Sequence, residues 1–301
     1  MEIRPVSEQA EYLATERLQS EVWNLPDVEI VPLHVLVTAA KNGGLLLGAF
    51  DGDRLAGFVF GFPGLTADGR LKHCSHMAGV HPDYRDQNLG YRLKLAQREV
   101  VLSQGIDLIT WTFDPLEARN AWLNFHKLGA VCNTYLRNVY GDMRDGLNAG
   151  LPSDRLQVDW WIGSEWVERR LRGEDDPPSS SSSLRGRRAG SGGEEGAREG
   201  DPPSSNSSLR GRRAGSGPLS LWETAKRGVR GDRPLIAIPR NFQAIKSADM
   251  DLARQWRIET RRLFEDAFRE GYAVTDVGYA GDQLSYLLQQ QIRDHTTELP
   301  N

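Results

Sequence analysis

The stretch Val80-His81-Pro82-Asp83-Tyr84-Arg85-Asp86-Gln87-Asn88-Leu89-Gly90-Tyr91-Arg92-Leu93 constrains the fold more than any other. It closes an apolar strand, turns at a proline, and enters an amphipathic helix through Gln-x-x-Gly-x-Arg. A strand that empties through a polar, glycine-bearing turn into a helix builds an anion site. The N–H groups of the first helical turn have no partners within the helix, and the helix dipole adds partial positive charge there. Gly90 has no Cβ to hold a bulky ligand away. The ligand suited to such a cradle is a pyrophosphate.

The pattern on either side predicts a mixed α/β sheet. Ile3–Val6 reads as a short strand, and Ser7 as the N-cap of a helix running to about Trp23. A second helix covers Leu33–Lys41 and stops at Asn42-Gly43-Gly44. Leu45–Phe50 and Leu55–Phe60 are apolar runs joined by Asp51-Gly52-Asp53-Arg54, a hairpin signal. Lys72–Val80 is a further strand. The helix after Gly90 carries Leu89, Leu93, Ala96 and Val100 at helical spacing, and Gly105 closes it. Ile106–Phe113 is apolar on both faces, as a doubly covered strand would be. Leu116–Leu128 reads as a helix and Val131–Tyr140 as a strand. The order β-α-α-β-β-β-α-β-α-β puts the phosphate-type turn at a strand-to-helix junction in mid-sheet.

Residues 1–150 are therefore the expected core, with 151–171 leading out through a strand at Gln157–Ile162. Residues 172–217 hold 11 Ser, 10 Gly and 4 Pro in 46 positions, with almost no large apolar side chain. Such a segment cannot bury enough surface to offset its ordering entropy, so disorder is expected. It contains a 25-residue repeat. Asp176–Gly192 and Asp201–Gly217 differ only at Ser181 against Asn206. Neither unit carries an amphipathic element, which excludes a solenoid. Residues 218–301 read as an extension with a strand at Leu235–Ile238, a helix from about Asp249 to Glu270 and strand pattern beyond Tyr272. It is too small to close its own core and should pack on the first 150 residues. Arg254, Arg257 and Arg261 form a stripe on its helix, expected to be solvated.

Net charge is −4. This argues against nucleic acid or an anionic membrane as partner. Cys74 and Cys132 suit a reducing cytoplasm, and two cysteines do not make a multi-Cys zinc site. No signal-type N-terminus and no bilayer-length apolar run are present.

Gln87, Gly90 and Arg92 resemble the Arg/Gln-x-x-Gly-x-Gly/Ala motif of the GNAT superfamily of acyl-CoA N-acyltransferases, with arginine in place of a small final residue. Asn120-Ala121-Trp122-Leu123-Asn124-Phe125-His126-Lys127-Leu128-Gly129 echoes a later motif of that family. The tyrosine often found there, a usual general acid, is Phe125 here. His76-Met77-Ala78-Gly79-Val80, Phe113-Asp114-Pro115-Leu116, Tyr140-Gly141-Asp142-Met143 and Ser153-Asp154-Arg155-Leu156 are similar to a bacterial branch that accompanies N-acylamino acid racemases. The resemblance implies a GNAT-like, mostly antiparallel sheet flanked by helices. It implies acyl transfer from acetyl-CoA or succinyl-CoA to a small-molecule amine, an amino acid first, with no metal and a homodimer as candidate oligomer. A protein amine or a non-catalytic acyl-CoA-binding module are the alternatives.

Under that reading, Gln87, Asn88, Leu89, Gly90, Tyr91 and Arg92 cradle the diphosphate, with Asn120 nearby. Met77, Gly79 and Val80 offer backbone groups to the pantetheine arm and the thioester oxygen, if their strand splays from its neighbour. An oxyanion donor of this kind is worth about 3–4 kcal/mol. Deprotonating a peptide-like α-amine at pH 7 costs only ~1 kcal/mol, against ~5 kcal/mol for lysine. His76 and Asp114 are the candidate bases, Tyr135 or Tyr140 the candidate acid, and Arg137 and Arg155 the candidate carboxylate holders. Each has a structural alternative: a packed strand histidine, a turn aspartate before proline, tyrosines half-buried for packing. Cys74 and the pair Trp160-Trp161 read as core.

Overall fold

A computed structural model describes residues 1–141, 143, 149–174 and 234–290. The expected disorder at 172–217 falls, but for its first three residues, outside the described part. Among the described residues, ten strands form one sheet in the order β1-β2-β3-β4-β5-β7-β6-β9-β10-β8. They are β1 (Glu2–Pro5), β2 (Leu45–Asp51), β3 (Arg54–Leu65), β4 (Leu71–Val80), β5 (Leu108–Phe113), β6 (Val131–Leu136), β7 (Arg155–Trp161), β8 (Leu235–Pro239), β9 (Tyr272–Ala280) and β10 (Gln283–Gln290). Every pairing is antiparallel except β4 with β5. The fold is thus the mixed α/β, mostly antiparallel open sheet that was expected.

Helices α1 (Gln9–Trp23) and α2 (Leu33–Lys41) cover one face. Their cluster includes Tyr12, Leu18, Leu36, Phe58 and Phe60. Ser7 is not the cap of α1. Glu8 is, in a reciprocal capping box with Glu11. The carboxylate of Glu11 also accepts from Arg4 at 2.6 Å, and this hydrogen bond holds its pKa down at about 2. The other face carries α3 (Leu89–Ser103), α4 (Ala118–Ala121) and a π-helical turn, Trp122–Lys127. The single helix expected over Leu116–Leu128 is therefore a short α-turn continued as a wider one, a device frequent at functional sites. The strand expected to reach Tyr140 ends at Leu136.

The sheet does not stop at residue 150. β7 lies between β5 and β6, pairing with β5 from Leu108↔Trp161 to Phe113↔Leu156. β9 continues the sheet through Cys132↔Val274. Helices α5 (Glu165–Leu171), α6 (Phe242–Ala248) and α7 (Met250–Arg269) complete the described chain. The arginine stripe of α7 is not solvated as a whole. Arg254 is exposed, but Arg257 is only 2% exposed. Its Nη1 and Nη2 donate to the two oxygens of Asp114 at 2.9 and 2.5 Å. Arg261 donates twice to the buried Asp154. Charge pairing, not apolar periodicity alone, therefore docks α7 on the end of β5.

Removing one partner of a buried ion pair leaves an uncompensated charge. Asp114→Ala should lower unfolding stability by about 3–5 kcal/mol in urea titrations, and the double change Asp114→Leu with Arg257→Met should recover most of the loss.

Candidate functional site

The β4–β5 pair is where the sheet opens. Two parallel strands meet only at His73↔Ile109 and Cys74↔Thr110. From Ser75 onward β4 has no β5 partner, although β3 continues to pair with it as far as Gly57↔Val80. The register across β3 steps from Gly61↔Ser75 to Phe60↔Met77, so His76 is the extra residue of a bulge. Bulges bend a strand and raise its local twist. Here the bend starts one residue beyond the last β5 pair. The edge of β4 over Met77, Ala78, Gly79 and Val80 consequently has no paired strand on the β5 side.

Helix α3 begins at the same end of β4. The turn into it uses two left-handed residues, Asp86 (φ 66°) and Asn88 (φ 58°), both of types that tolerate this conformation. Asn88 is the N-cap by position but makes no side-chain capping bond. Its Oδ1 instead accepts from Lys127 Nζ at 3.0 Å. The first-turn N–H groups of Leu89 and Gly90 therefore remain available, as an anion site requires. Gln87, Asn88 and Arg92 are exposed, and Gly90 is half-buried. A Cβ built on Gly90 would meet nothing within 4 Å. The space that a side chain would occupy there is open.

The departing final residue of the motif, Arg92, donates to the carbonyl of Met1 at 3.2 Å. Asn120 is exposed on α4, and its neighbour Arg119 pairs with Asp86 of the turn. Tyr91 lies 5.8 Å below Lys127 Nζ. The cradle is thus flanked by the α4 segment as well as by α3.

The expected acid–base residues do not form one constellation. His76 stands on the α1–α2 face, its ring 6.0 Å from Phe60 and 5.8 Å from Phe62. The residue is exposed by surface area, and desolvation by these neighbours lowers its pKa below 6.5. Asp114 belongs elsewhere. Both oxygens are taken by Arg257, and Oδ1 also accepts from Leu116 N–H. Tyr135 donates to Asp154 Oδ2 at 2.8 Å and stacks on Phe264. Burial, reinforced by Asp154, raises its pKa well beyond the ordinary range. The polar atoms of Asp114 and Tyr135 are thus engaged in bonds that hold α7 and the β6–β7 region together.

Tyr140 is exposed, and its hydroxyl lies 2.9 Å from Thr112 Oγ1 on β5. Phe125 is fully buried against Phe113 and Tyr286 and brings no hydroxyl to the site. Arg137 pairs with Glu265, while Arg155 donates to Asp154 O and Met143 Sδ. Cys132 is buried and burial pushes its thiol up. Trp160 packs in the core and donates to Leu128 O. No group of three or more potential metal ligands occurs among the described residues, and no described helix is long and apolar enough to cross a membrane.

Sequence reasoning missed one set of residues. Leu89 and Leu93 of the expected stripe are buried and Ala96 and Val100 pack partly buried against the same core, but the inward face of α3 also takes in Lys94, Gln97 and Val101. Lys94 is 4% exposed and Gln97 fully buried. The signal was present: steps of four, three and four from Gly90 through Lys94 and Gln97 to Val101 keep polar residues on an inward face.

No protein-family model matches the sequence, and no curated protein matches it. Solved structures resemble parts of it. The ribosomal-protein-S18-alanine N-acetyltransferase from Escherichia coli shares 18% identity over 54% of this chain and 94% of its own, with a TM-score of 0.42. An acetyltransferase of the GNAT family from Streptococcus pneumoniae shares 15% over 52% of this chain and 97% of its own, at 0.43. Aminoglycoside 6'-acetyltransferase type Ii shares 18% over 54% and 97%, at 0.41. These likenesses take in about half of the chain.

Proposed function

We propose that the protein is an acyl-CoA-dependent N-acyltransferase of the GNAT type. One observation carries the reading: a parted pair of parallel strands and an uncapped helix N-terminus meet at the same end of β4. An anion seat beside an open strand edge suits a ligand with a diphosphate at one point and an amide-bearing arm extending from it. The N–H groups of Leu89 and Gly90 seat the diphosphate, with Lys127 and Tyr91 beside them. The open edge at Met77–Val80 pairs with the arm's amides and supplies an N–H to the thioester oxygen as charge develops there.

His76 takes the proton from the attacking amine. It stands at the bulge, at the start of the open edge, and desolvation lowers its pKa, which favours the neutral imidazole a base must be. Tyr140 gives a proton to the departing thiolate, in place of the hydroxyl that Phe125 lacks. The motif likeness to the racemase-associated branch favours an amino acid as acceptor and acetyl-CoA or succinyl-CoA as donor. Commitment of Asp114 and Tyr135 to structural bonds favours a second reading, a non-catalytic acyl-CoA-binding module.

Calorimetry and thiol release separate these. The wild type should bind CoA and release thiol from acetyl-CoA or succinyl-CoA with free amino acids. Gly90→Val should fold normally and lose CoA binding, and unchanged affinity would refute the seat. Binding without thiol release on any amino acid or peptide amine would leave the module reading. His76→Ala should lower kcat by about 10²-fold or more. The base works unprotonated, so wild-type kcat should rise with pH through a point below 6.5, and that rise should vanish in the variant.

A further inference from the structure

The missed polar residues of α3 converge on the point where the strands part. Lys94 Nζ donates to Ser75 Oγ at 2.7 Å and to Gln97 Oε1 at 3.3 Å. It also sits 3.8 Å from the centroid of the Trp111 ring. Ser75 donates on to Gln97 Oε1 at 3.0 Å, and Gln97 Nε2 lies 3.2 Å from His73 Nε2. Ser75 is the first residue of β4 beyond its last β5 pair, and Trp111 is the first residue of β5 beyond the same pair. Lys94 therefore bridges side chains of the two strands at their divergence.

The site is built for this amine. Gly61 on β3 leaves the room that the His73 ring occupies: a Cβ there would lie 2.2 Å from His73 Nε2. As an ammonium, Lys94 has three donors and three acceptors around it: a hydroxyl, an amide oxygen and a π face. β5 carries no ionisable side chain over Leu108–Phe113. The titratable group set against Lys94 from β4 is His73, whose burial lowers its pKa to about 4 and leaves it neutral. Burial without a carboxylate brings Lys94 itself down to about 7. A buried cation of this kind costs stability. Packing alone would be served as well by methionine.

We propose that Lys94 is a positioning residue for the acyl donor. By tying Ser75 of β4 to the Trp111 ring of β5, it fixes where the strands part and how deep a thioester-bearing arm can enter. Ser75 to Val80 spans roughly 17 Å of extended chain, so an arm leaving the α3 terminus along β4 approaches Lys94 at its reacting end. The role of this residue in the reaction rests on the acyltransferase reading. Its effect on the strands does not.

The test uses the full chain, with Lys94→Met and the milder Ser75→Ala. Amide exchange without ligand reads the open edge directly. Both variants should show altered exchange at residues 75–80 and 110–113 and native exchange in β1–β3, with Lys94→Met the larger change. With acetyl-CoA as probe, Lys94→Met should raise KM by about tenfold or more, the scale of one charge-assisted hydrogen bond. Ser75→Ala should raise it less. Wild-type KM should climb as pH passes about 7, and Lys94→Met should lack that climb. A folded Lys94→Met with wild-type KM, wild-type pH dependence and unchanged exchange would overturn the proposal. If Lys94→Met fails to fold, wild-type behaviour of Ser75→Ala overturns it. If the wild type binds no acetyl-CoA, the acyltransferase reading falls, and the exchange comparison alone decides whether Lys94 sets the parting.

Discussion

The organisation of the site depends on the parallel contact between β4 and β5. Parallel neighbours cannot be joined by a tight turn. They need a crossover, and that crossover is α3. The helix must begin where β4 ends, so its partial positive charge arrives at the C-terminal end of that strand. Because the two strands pair at only two positions, the crossover also spans a gap. Helix start and open edge are therefore consequences of one topological fact.

The gap is maintained at a cost. Closing it would satisfy the backbone edge of β4. Instead the chain places a bulge at His76, an amine on a tryptophan ring and a serine hydroxyl at the apex. Each is a poor choice for stability alone. The compensation lies elsewhere, in the apolar clusters on both faces and in the charge pairs that hold α7 against β5 and β7. Rigid surroundings and a costly interior feature are what a preorganised pocket requires.

Much of this was legible in the sequence, because local rules carried it. The glycine-bearing turn after Val80, the hairpin at Asp51–Arg54 and the apolar runs of β2 to β5 each follow from side chains within a few residues. What was not legible depended on distant partners. Asp114 before a proline reads as a turn residue or a base, and nothing near it announces Arg257, 143 positions away. Tyr135 likewise meets Asp154 only through the sheet order. The insertion of β7 between β5 and β6 is a topological choice that periodicity does not encode. Lys94 was passed over because a lysine beside leucines is ordinarily solvated, and its inward spacing gains meaning only once β4 and β5 diverge above it.

The most direct measurement of the central claim is residue-resolved amide exchange with and without CoA. The account predicts protection confined to the cradle at Leu89 and Gly90 and to the open edge at Met77–Val80, with β1 to β3 unaffected. Saturating CoA that leaves these amides unprotected, or protects a different surface, would contradict it.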